Sequence, residues 1–125
     1  MTSAQIRKVF RMYQEKIESL LADEEWSRGA LYKHNQVIYL KDMTTRFPSF
    51  SADREKAMRW ICFMQGAFWS LGVYTVDEMR AHNTITPDEE DVRFVYQGHS
   101  LHRLSPCTAC GDLDGCHRAK ELLLS

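Results

Sequence analysis

One stretch limits what this chain can become: Met58 to Asn83, MRWICFMQGAFWSLGVYTVDEMRAHN. Between Met58 and Tyr74 only Arg59, Gln65 and Ser70 are plainly polar, and no proline interrupts. A helix apolar all round belongs inside a fold, buried on several sides. A membrane span needs about 20 apolar residues. This run is shorter, with Gln65-Gly66 in its middle and Arg59 near its start, so no membrane is expected. Gly72 should end the helix. Thr75 and Glu78 then have the spacing of a capping box, and Tyr74 and Met79 that of a hydrophobic staple. The expectation is a central helix, a sharp corner and a short second helix ending near Asn83.

The residues ahead of this run supply its covering. Thr2 and Gln5 form another capping-box pair, and Ile6, Phe10, Tyr13, Ile17 and Leu20 or Leu21 follow at helical spacing. That first helix should reach about Ala22. After a charged bend at Asp23-Glu24-Glu25 and a turn around Trp26 to Gly29, a second helix is expected with Leu31, His34, Ile38 and Leu40 to Met43 facing inward. Phe47-Pro48-Ser49-Phe50-Ser51 then breaks the chain. Pro48 disfavours helix in the residue before it. Ser51 can cap the next helix, whose first turn carries Asp53 and Glu55 where the helix dipole favours them. Short connections favour antiparallel neighbours, so the first two helices should wrap the third. The expected fold class is mainly α, a three-to-four-helix body over residues 1–83.

Residues 84–125 read differently, as linker, β-hairpin and Cys/His metal-binding tail. Thr84 to Asp91 holds Pro87 and the acid run Asp88-Glu89-Glu90-Asp91, the composition of a solvated linker. Val92, Phe94 and Tyr96 alternate with Arg93 and Gln97 at strand period. Gln97-Gly98 can turn the chain, and Ser100 to Leu104 can return as a partner strand. Cys107, Cys110 and Cys116 then offer three thiolates for a tetrahedral structural zinc. The fourth ligand is His117, or His102 or His99 arriving from the hairpin. The alternative is a small-residue loop with free thiols. A catalytic zinc would need an open position and a general base, for which Asp112 and Asp114 are candidates by proximity alone.

Composition narrows the role. Hydrophobic residues make up 44%, with three Trp, five Tyr and six Phe, enough for a real core. A formal charge of −1 argues against a broad basic surface for nucleic acid. A nucleic-acid-associated zinc knuckle is the alternative reading: Arg103, Arg118 and Lys120 favour it, and Asp112, Asp114 and Glu121 offset them. The N-terminus opens on amphipathic residues rather than an apolar signal region, so a cytoplasmic location is expected, where clustered cysteines serve as metal ligands rather than disulfides. No Ser/His/Asp arrangement, phosphate-cradling loop or paired-carboxylate pattern is legible, which points to binding rather than catalysis. Gln65 must satisfy its amide inside an apolar helix, and Gly66 costs that helix about 1 kcal/mol relative to Ala. They mark either a pocket or subunit contact, or an inter-helix hydrogen bond with tight packing. Trp60 and Trp69 read as core, and as binding residues only if a ring is exposed. Cys62 reads as a small buried hydrophobe.

The segment Arg59 to Glu78 carries R-W-x-x-F-x-Q-G-x-x-W-x-x-G-x-Y-x-x-D-E. It resembles a recurrent signature in small proteins of tailed bacteriophages, where the pattern follows two amphipathic helices. The resemblance spans roughly residues 1–83. It implies a small accessory protein acting in host takeover by binding a host or defence component, or a small molecule, with homo-oligomerisation as a further expectation. It carries no catalytic residues across.

Overall fold

The structure, a computed structural model, describes residues 1–28, 31–50 and 52–96. Expectations placed on Gly29, the Leu31 side chain, Ser51 and the chain from Gln97 onward lie outside the described residues. The hairpin turn, the returning strand and the zinc ligands Cys107, Cys110, Cys116, His117 and His102 are among them.

Among the described residues the fold is six helices and no strand: α1 (Ser3–Ala22), α2 (Glu24–Arg28), α3 (Leu31–Thr45), α4 (Arg54–Ser70), α5 (Val76–Asn83) and α6 (Glu89–Val95). None is long and apolar enough to cross a membrane. The start of α1 is the expected box. The Thr2 hydroxyl accepts from the Gln5 backbone N–H at 3.2 Å, and the Gln5 side chain accepts from the Thr2 N–H at 2.8 Å. Two otherwise orphaned donors are thereby satisfied. Thr75 and Glu78 do the same at the start of α5. Gly72 ends α4 in the left-handed conformation, φ 73°. The Gly72 N–H bonds the Trp69 carbonyl and the Val73 N–H bonds the Phe68 carbonyl, the paired pattern of a Schellman turn.

The organising element is α1, not the apolar helix α4. Its stripe Ile6, Tyr13, Ile17 and Leu20 is buried as its spacing implies, with Val9 added and Phe10 half-buried. All five other helices pack against it. The apolar run, expected to be covered on several sides, is covered on one. Ala57, Ile61, Met64 and Phe68 face inward with Gln65, whereas Cys62, Phe63, Gly66 and Trp69 face solvent. Cys62 is therefore exposed rather than buried. The cause is tertiary: α3 and α4 each press a stripe against α1 but approach one another far less. On α3 the buried stripe is Val37, Leu40 and Met43. Ile38, expected inside, is exposed, and His34 is half-buried.

The acid run and the first expected strand are corrected outright. Glu89–Val95 forms α6, with Asp88 as its N-cap and Tyr96 as its C-cap, and Asp91 is fully buried. Three carboxylates in the first turn suit the positive end of a helix, and Asp91 accepts from the Asp88 N–H at 3.2 Å. Val92, Val95 and Tyr96, one helical face at i, i+3 and i+4, are the buried apolar residues. Phe94, the middle of the expected strand, points outward at 55% exposure. Asp91 is held by Arg7 Nη1 at 2.7 Å and by Arg11 Nε and Nη2 at 2.8 and 2.7 Å. The Asp91 hydrogen bond also raises the Arg11 pKa, working against its partial burial. The Arg7 guanidinium lies 4.0 Å over the Phe94 ring, a cation–π contact. These contacts seat α6 on α1.

Candidate functional site

The gap between α3 and α4 is the candidate site. Its larger compartment, about 590 Å³, is bounded by Tyr39 and Leu40 on α3 and by Phe63, Gly66 and Ala67 on α4. Gly66 opens it. A Cβ at this position would meet nothing within 4 Å, so no packing contact among the described residues requires glycine there. Mid-helix glycine nonetheless costs about 1 kcal/mol relative to alanine. A glycine that weakens its helix without a packing contact to offset that cost breaks a local rule, and such breaks gather at functional sites.

Aromatic rings stand along the same opening. Tyr39 and Phe63 meet edge to face with centroids 6.2 Å apart, yet each remains more than half exposed. Trp69, one turn beyond Gly66, is 60% exposed. Large apolar rings open to water near a concave apolar surface mark interaction sites. Tyr39 and Phe63 also line a second compartment of about 380 Å³, completed by Met43, Trp60, Arg46 and Arg59. The groove between α3 and α4 thus consists of two compartments that meet at the Tyr39–Phe63 pair.

Of the binding residues suggested by sequence, Trp60 lines the second compartment, whereas Trp69 is exposed on α4 but lines neither. Trp60 is half-buried, edge-on to Phe47 at 5.9 Å, and Phe47 packs in turn on Phe10 at 4.6 Å. Gln65 is placed elsewhere, in the joint of α1, α4 and α5. Its amide nitrogen donates to the Tyr13 hydroxyl at 3.0 Å and to Asn83 Oδ1 at 2.7 Å. The Tyr13 oxygen also stands 2.9 Å from His82 Nδ1. The Tyr13 hydroxyl accepts from Gln65 and shares a second hydrogen bond with His82 Nδ1, whose direction follows the imidazole tautomer. Burial pushes the Tyr13 phenol up to about 12, against the opposing pull of the Gln65 hydrogen bond. Burial likewise lowers the His82 pKa, against the attraction of Glu78. This is the inter-helix hydrogen bond that an amide in an apolar helix demands. The tight packing expected at Gly66 is absent.

Sequence reasoning missed Tyr39, Phe63 and Arg59. The available signal was that α3 carries Tyr32, Ile38 and Tyr39 off the Val37-Leu40-Met43 stripe, more apolar surface than one neighbour can cover. Among the described residues no group of three or more His, Cys, Asp or Glu is arranged to hold a metal. No family model, curated protein or solved structure matches the chain.

Proposed function

We propose that this is a small accessory protein of the tailed-bacteriophage type that acts by binding a host protein, one segment of which lies in the groove between α3 and α4. The observation that carries the reading is Gly66, a helix glycine with open space over it, set among exposed aromatic rings. Grooves of this kind receive apolar anchors from a partner helix. Gly66→Leu supplies a clean test, because it fills the groove while raising helix propensity. The variant is expected to melt no lower than the parent chain and to lose the proteins that the parent retains from bacterial lysate. Equal retention by both chains, or none by the parent, overturns the reading.

The same proposal keeps a structural zinc in the C-terminal tail, on Cys107, Cys110 and Cys116 with His117 or His102 as the fourth ligand. Its support is the C-x-x-C spacing and the small residues around it. Elemental analysis of the purified chain should find zinc at about one ion per chain, with a clear drop in Cys107→Ser. A parent chain free of zinc ends this part of the proposal.

A further inference from the structure

We infer that the groove takes an acidic amphipathic helix, with an apolar side chain entering beside Gly66 and a carboxylate meeting Arg59. The inference rests on the groove being the binding surface and adds the chemistry of its occupant. The two compartments differ in kind. One is floored by Leu40, Gly66 and Ala67, and the other is edged by the guanidinium groups of Arg46 and Arg59. Among the described residues no carboxylate lines either of them. Arg46 is held by Asp42 one turn back at 2.5 Å. Arg59 is exposed and makes no ion pair or hydrogen bond among the described residues. The groove therefore offers one apolar socket and one unspent positive charge.

The spacing sets what fits. Gly66 and Arg59 lie two turns apart on α4, about 10 Å along the helix axis. A partner helix running beside α4 meets both only if its anchor and its carboxylate are also two turns apart on one face. A second copy of this chain fits poorly. A two-fold contact uses the same patch on both subunits, residue i meeting residue j, and among the described residues that patch has no lining carboxylate to receive Arg59. A basic segment would set like charge against Arg59 and is disfavoured.

A display library of random peptides long enough for four helical turns, panned on the full chain, tests this directly. Enriched peptides should pair a large apolar residue with Asp or Glu at i±7. Fluorescence anisotropy should show their affinity falling about tenfold on Arg59→Glu, with recovery when the peptide carboxylate is replaced by lysine. Binding should vanish in Gly66→Leu. Peptides that respond to Gly66→Leu but not to Arg59→Glu would overturn the acidic occupant and leave the groove standing. Peptides indifferent to both substitutions, or no enrichment at all, would overturn both. A parent chain that sediments as a dimer and becomes monomeric in Gly66→Leu would make a second copy the occupant, and would overturn the inference as well.

Discussion

Asp91→Ala is expected to lower stability by about 3 kcal/mol, the low end of the loss when one partner of a buried ion pair is removed. Asp91 is completely buried and accepts three charged hydrogen bonds, one from Arg7 and two from Arg11. Its loss leaves Arg7, with a side chain only 13% exposed, without its closest anion. Arg11 is 32% exposed and can recover some hydration, which keeps the loss from the top of the range. The damage should be local first: α6 amides should lose hydrogen-exchange protection before α1 and α4 do. Urea unfolding reads the size of the effect. A loss below 1 kcal/mol would mean that the cluster does not hold α6 in place. High salt should not mimic the substitution, because screening acts mainly on exposed pairs such as Lys8–Asp88. Asp88 itself is held below its ordinary carboxylate pKa, chiefly by the Lys8 hydrogen bond.

Tyr13→Phe should cost about 2 kcal/mol near neutral pH, the penalty for leaving buried polar groups short of a partner. The ring stays, so its contacts with Phe68 and Tyr74 survive. Gln65 loses one acceptor and His82 Nδ1 loses its hydrogen-bond partner. The pH signature separates this from a packing defect. The folded Tyr13 pKa of about 12 lies above its ordinary 10.0. The folded state thus keeps a proton that the unfolded chain gives up, and stability falls as pH rises from 10 through 12. Phenolate absorbance should show Tyr13 among the tyrosines that ionise only as the chain unfolds, and the amplitude of that late step should shrink in Tyr13→Phe. At the acid end the sign reverses. The folded His82 pKa lies below 6.5, so the unfolded state binds the proton more readily and stability falls as pH drops below that value. A parent chain that titrates all its tyrosines while folded would contradict the buried Tyr13–Gln65 joint.

Features decided within one turn of chain were legible in advance. Both capping boxes, the Gly72 stop and the α1 stripe depend on residues three or four positions apart, and all stand as the spacing requires. Gln65 shows where such reasoning stops. An amide in an apolar helix announces that it needs partners, but Tyr13 and Asn83 reach it only through the packing of α1 and α5. The acid run shows more. Val92 to Tyr96 fits a strand by alternation and a helix by its i, i+3, i+4 face, and a short apolar run does not distinguish the two. Asp91 meeting Arg7 and Arg11 accompanies the helical choice, across some eighty residues of chain.

The sequence by itself determined where α1 and α5 begin, where α4 stops and which face of α1 is apolar, because those terms act between neighbours along the backbone. Only the tertiary structure decided that α4 is covered on one side and that a groove runs beside Gly66. Burial depends on where a third element holds two others. Here α1 docks α3 and α4 side by side without closing them on each other, and apolar residues that composition would send inside are left facing water.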